Sequence, residues 1–224
     1  MADPQREIAS ISEFLQNLDL KLSGNILCGP SEKDLYRKFH ALLCWQKVFD
    51  ANSTLKESGA FDEFLSDCSA AYFFHLTSAY KPSISMLRSG VENVVRALLI
   101  LEGHKANEIE AVWELFAVAR STFLSAGKDV MVLRVDALHT RYGEMCKTVH
   151  SAAPEYMSLR VPFERIFEID DEKFRITQRL LVDVFRIAAE AFYLVQGGNL
   201  GAIHHRLADE IRDSLSPSTK SLIS

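Results

Sequence analysis

The sequence lacks most of the features that announce a common chemistry. Its four cysteines, Cys28, Cys44, Cys68 and Cys146, stand far apart and form no Cys-x-x-Cys pair. A zinc knuckle shows close pairs and a small disulfide scaffold a higher density, so the spacing predicts reduced thiols and no metal site. There is no Gly-rich phosphate loop and no His-Glu-x-x-His. A Gly-x-Ser-x-Gly elbow is missing too. Long apolar runs are also absent. The richest window, 91–101, is broken by Glu92, Asn93 and Arg96, which excludes an ordinary membrane span. The first residues carry no apolar stretch of the secretory kind, so a cytoplasmic location is expected. Net positive charge is missing as well. A formal charge of −5 argues against avid nonspecific binding to nucleic acid, so any RNA contact needs a local basic patch. Nothing calls for a cofactor.

What is present is an ordinary globular composition of 224 residues, 48% hydrophobic and 25% charged, ample for a core. Apolar residues recur at helical spacing almost throughout. Residues 5–22 form one such stripe. Gly24, Gly29 and Pro30 mark a loop, and Ser31 opens a second helix through Leu35, Phe39, Leu42, Leu43 and Phe49. Residues 52–59 read as a connection. An aromatic-rich third helix spans 60–80 and is ended or kinked by Pro82, which lacks an N–H and clashes with the turn before it. The fourth, 83–101, has the widest apolar face and reads as the central core helix. A fifth, 108–125, is capped by Asn107. The sixth runs over 129–150. A loop at 151–169 holds Pro154 and Pro162. The longest helix covers 170–196, with Gly197-Gly198 as its stop. A short helix at 200–213 and a Ser-rich, fraying tail at 214–224 complete the chain. No strand pattern competes. The prediction is an all-α, single-domain helical bundle of about seven to eight helices with short antiparallel connections.

Three constellations could carry chemistry. His204-His205 is an adjacent pair on a helix. Such neighbours point in different directions, so it reads as a solvated surface pair. Arg88, Glu92 and Arg96 lie at i, i+4 and i+8 on the fourth helix, with Asn93 beside them. This is a surface ion-pair ladder, or a polar line facing another subunit or a catalytic cleft. The third is Arg141-Tyr142-Gly143-Glu144-Met145-Cys146-Lys147-Thr148-Val149-His150-Ser151, at the end of the sixth helix. At about 100° per residue, Cys146, Lys147 and His150 share a face and Tyr142 sits at its edge. A lysine beside a histidine favours a neutral imidazole that can act as a base. A cation there could also steady a reacting phosphate. The plain alternative is that His150 caps the helix C-terminus.

Ala79-Tyr80, then Leu87-Arg88-Ser89-Gly90-Val91-Glu92-Asn93, and some fifty residues later Tyr142 to Ser151, together resemble the HEPN superfamily, especially its prokaryotic, abortive-infection-like members. The resemblance covers roughly residues 60–196. It implies an all-α bundle, frequent homodimers and often metal-independent ribonuclease activity in phage defence or toxin–antitoxin systems. It divides the chain into an N-terminal helical pair (1–52), a HEPN-like bundle (53–213) and a flexible tail (214–224). In active members a helix carries Arg, four to six residues, then His, and two such motifs meet across the dimer. Here Arg141 and His150 have eight residues between them, which puts them about 180° apart on a helix. His150 alone is carried over from the motif, and Lys147 is the cation beside it. Arg88, Glu92 and Asn93 resemble the polar positions on the neighbouring helix, with Tyr142 as further support.

The sequence therefore predicts an RNA-directed effector with His150 as general base or acid and Lys147 as phosphate partner. The second expectation is a catalytically silent helical module acting through dimerisation or a hetero-complex. Expected partners are RNA, a second copy of the chain, and a protein such as an antitoxin or defence subunit. No membrane partner is expected.

Overall fold

A computed structural model describes residues 30–150 and 170–221. The stripe at 5–22 and the loop at 151–169 lie outside the described residues. Within them the chain is built of helices, with no strand. In order these are α1 (Pro30–Phe49), α2 (Ser53–Ser58), α3 (Ala60–Leu76), α4 (Tyr80–Leu101), α5 (Val112–Ser125), α6 (Asp129–Val149), α7 (Asp171–Gln196), α8 (His205–Ser214) and α9 (Pro217–Lys220). Single 3-10 segments, Ala106–Glu108 and Gly197–Ala202, join α4 to α5 and α7 to α8. No helix among the described residues is long and apolar enough to cross a membrane.

The all-α bundle follows the apolar stripes. α4 is the central element: Leu87, Val91, Val94, Val95, Leu98 and Leu99 are fully buried, and the helix packs on α3, α5, α6 and α7. Gly90 faces α3, where an added Cβ would lie at an ordinary contact distance of 3.4 Å from that of Asp67. At the other end of the core, Phe192 of α7 gathers Trp45, Phe49, Phe61 and Phe64 at ring-centroid distances of 5.9, 5.2, 5.4 and 5.8 Å. Such edge and tilted pairs add about 0.5–1.5 kcal/mol each beyond the area they bury. α1 shares this core and packs on α7 and α8. The core therefore runs across residue 52, where the sequence reading placed a domain boundary.

Four local expectations need correction. Pro82 does not separate two helices. It sits in the first turn of α4, where its missing N–H costs no helical hydrogen bond. The break falls earlier, at Ser78, whose φ of 61° is left-handed and ends α3. Residues 53–58 are helical, not a plain connection, because the Asn52 side chain accepts from the Leu55 N–H at 2.9 Å. Asn107 is not the cap of α5. It lies in the 3-10 turn and donates to the Ser58 carbonyl at 3.0 Å. The segment after Ser214 is not a free tail as far as residue 221. Ser216 caps α9 through the Thr219 N–H, and Thr219 is fully buried.

That C-terminal anchor rests on Glu190 of α7, which is fully buried. Its Oε2 lies 2.8 Å from Arg134 Nε of α6, close but not aligned as a hydrogen bond. Its Oε1 accepts from the Ser216 N–H at 3.1 Å and faces Arg186 Nη1 at 3.5 Å. Arg134 also donates to the Thr219 hydroxyl at 3.1 Å. A buried carboxylate needs such surroundings, because an uncompensated charge in the interior is costly.

Candidate functional site

The polar residues of α4 and α6 meet in one network. Arg88 Nη1 donates to Glu92 Oε1 at 3.3 Å and to the Tyr142 hydroxyl at 3.2 Å. Tyr142 in turn donates to Glu92 Oε1 at 3.1 Å. Arg96 lies 3.9 Å from the other Glu92 oxygen and donates to the Ile109 carbonyl at 3.0 Å. The Arg88 guanidinium also lies over the Tyr142 ring, 5.1 Å from its centroid. Burial, reinforced by the Glu92 charge, pushes the Tyr142 hydroxyl well above its ordinary range. The ladder read in the sequence is therefore real, and a tyrosine from the facing helix closes it.

Asn93 does not join this network. It points to α3 and donates to Asp67 Oδ2 at 2.9 Å. Burial raises the Asp67 carboxyl above its usual range, against the lowering effect of hydrogen bonds from Ser89 and Asn93. Arg141 faces away, as the helical spacing predicts. Its two partners are Glu144 and Asp183 of α7, each at 2.8 Å.

His150 and Lys147 stand apart from all of these. Both are exposed, and neither side chain has a hydrogen-bond or ion-pair partner among the described residues. His150 closes α6, its backbone N–H donating to the Cys146 carbonyl at 3.0 Å. It lies eight residues beyond Tyr142, about 12 Å along the axis. Arg88 therefore cannot serve as its cation.

The level of His150 along the bundle follows from the helix registers. Lys128, just before α6, holds Glu102, just after α4, at 2.7 Å, and Tyr142 meets Arg88. Fourteen residues forward on α6 are thus fourteen back on α4. Likewise Arg134 faces Glu190 and Arg141 faces Asp183, seven forward against seven back on α7. α6 is antiparallel to both helices. Continuing eight residues past Tyr142 reaches the level of Tyr80, and nine past Arg141 reaches that of Phe174. Those two rings do touch, at 6.4 Å between centroids, so the two registers close on each other. His150 thus sits at the bundle end where α4 begins. That start has no side-chain cap at Ala79 and carries the positive end of a helix dipole.

The predicted site residues therefore fall in three places: the Arg88–Glu92–Tyr142 network, the Asn93–Asp67 contact, and the His150–Lys147 end. Sequence reasoning missed a fourth cluster. His40 and Cys44 of α1 meet Glu210 of α8, with ligand atoms all within 4.8 Å of one another. The i, i+4 spacing of His40 and Cys44 was the available signal. Of the exposed pair, His204 caps α8, its Nδ1 accepting from the Arg206 N–H at 3.3 Å, and His205 is the first residue of that helix. No protein-family model, no curated protein and no solved structure matches this chain.

Proposed function

We propose that the protein is a HEPN-like, RNA-directed effector acting as a metal-independent ribonuclease in a phage-defence or toxin–antitoxin setting. The observation that carries this reading is the His150–Lys147 end. These are the only two of the six predicted site residues whose side chains have no partner among the described residues. His150 would take the 2′-hydroxyl proton, and Lys147, one turn back, would steady the charge that builds on the phosphate. The positive end of α4 at the same level favours an anion there. In a homodimer of the HEPN kind, two such ends would meet.

A second reading has its own support. The Arg88–Glu92–Tyr142 network is closed on itself, which suits a structural device, and Trp113, Leu124 and Leu133 are exposed on α5 and α6. On this reading the protein is a catalytically inactive module that works by pairing with itself or with another protein.

The deciding experiment is incubation with total RNA and defined oligonucleotides in the presence of a chelator, with His150→Ala and Lys147→Ala in parallel. Loss of a general base or acid slows such a reaction by about 10²–10⁴-fold. Intact RNA under the wild-type protein would sink the ribonuclease reading. Equal cleavage by wild type and His150→Ala would do the same, since it assigns the activity to a contaminant. Light scattering measures the oligomeric state.

A further inference from the structure

We propose that His40, Cys44 and Glu210 form a binding site for a divalent transition-metal ion of the zinc type. The three donors come from two helices that are distant in sequence. His40 and Cys44 are one turn apart on α1, and Glu210 reaches them from α8. Their atoms converge on one point. His40 Nδ1 lies 2.5 Å from Glu210 Oε2, and Cys44 Sγ lies 3.7 Å from each of these atoms.

The distances suit a metal. A tetrahedral zinc ion with ordinary bonds to N, O and S holds those donors about 3.4–3.6 Å apart. The two sulfur distances, 3.7 Å each, are within about 0.1 Å of that range. Only the His40–Glu210 contact must open, by about 1 Å, to admit the ion between them. Both side chains retain freedom for this, at 21% and 19% exposure, and the same opening leaves a fourth position to water. The sulfur is covered, with Cys44 only 3% exposed.

A nucleophilic relay does not fit the same geometry. A Cys–His–carboxylate relay needs the thiol and the carboxylate on opposite ring nitrogens, so that a proton passes through the imidazole. Here both face Nδ1. The thiol is also held protonated: burial first, and the Glu210 charge next, push it up to about 12. A metal reverses this, because coordination replaces the thiol proton, which leaves to solvent. One sulfur, one imidazole and one carboxylate select zinc-like ions over magnesium or calcium, which prefer oxygen alone. The site would join α1 to α8. It involves neither α6 nor His150 and stands independently of the ribonuclease reading.

The test is a titration of the full chain, stripped with a chelator and kept reduced, with Zn²⁺ by calorimetry and with Co²⁺ by absorption. The expected result is one ion per chain and a thiolate-to-cobalt charge-transfer band. Zinc should also raise the melting temperature. Cys44→Ser should remove the band, and His40→Gln and Glu210→Gln should each weaken binding by about tenfold or more. Cys146→Ser and the double variant His204→Gln/His205→Gln should bind as wild type. These conservative variants are checked for folding by their circular dichroism. No binding at micromolar metal, an undiminished band in folded Cys44→Ser, or loss of binding in either control variant would overturn the assignment.

Discussion

Removing Arg134 tests how the C-terminal segment is held. Arg134→Met deletes the cation 2.8 Å from Glu190 Oε2 and leaves a fully buried carboxylate with one cation, Arg186, at 3.5 Å. Breaking a buried pair from one side costs about 3–5 kcal/mol. Arg186 is partly exposed and retains its place, so the lower end applies, about 3 kcal/mol. For a chain of this size that corresponds to a melting temperature lower by roughly 6–12 °C. Thermal and urea unfolding followed by circular dichroism would measure it. The double variant Arg134→Met/Glu190→Gln removes the stranded charge while an amide oxygen still accepts the Ser216 N–H. It should recover more than half of the loss. A single variant within about 1 kcal/mol of wild type, or a double variant no more stable than the single, would refute the reasoning.

Three further outcomes are expected. His75 is fully buried, stacked on Phe174 at 4.5 Å, and burial lowers its pKa from 6.5 to about 4. Its stabilising contribution is complete above pH 6.5 and is lost as pH falls toward 4, about 3 kcal/mol in all. The urea midpoint should show this slope in wild type and not in His75→Phe. Tyr142→Phe removes the hydroxyl that bridges Arg88 and Glu92 and should cost about 1–2 kcal/mol. Because the folded state raises the Tyr142 pKa, its contribution is present below pH 10 and declines above it, so wild type should lose more stability than Tyr142→Phe on alkaline titration. Asn52→Ala removes the cap of α2 and should cost about 1 kcal/mol, whereas Asn107→Ala, at a position that caps nothing, should cost less.

The periodic part of the fold was legible in the residues. The stripes of α1, α4, α6 and α7 predict those helices to within a few positions, because a buried face imposes its own spacing. The misreadings came where one residue type has two roles. Pro82 breaks a helix interior but starts a helix equally well, and the sequence does not show that Ser78 turns left-handed two residues before α4. Asn107 is a good cap, yet the hydrogen bond it makes is to Ser58, which only the packing of two distant segments brings near. In the candidate site, the Arg88–Glu92–Arg96 ladder was visible from its spacing of four. The Tyr142 link was not, because it depends on how α6 lies against α4. His40 and Cys44 were visible as an i, i+4 pair, but Glu210 is contributed by a helix far along the chain.

The two registers of α6 have a consequence for how its length can change. Its contacts with α4, through Tyr142 and Arg88, and with α7, through Arg134 and Arg141, are spaced so that both neighbours are matched at once. Inserting or deleting one residue near its start would turn everything after it by about 100° and shift it by about 1.5 Å. Arg134, Arg141 and Tyr142 would then leave their partners on the neighbouring helices together, while the Arg141–Glu144 pair inside α6 would be kept. Substitution at an exposed position such as Leu133 has no such reach. In this helix a change in residue count is a global event, and a change in residue identity is mostly a local one.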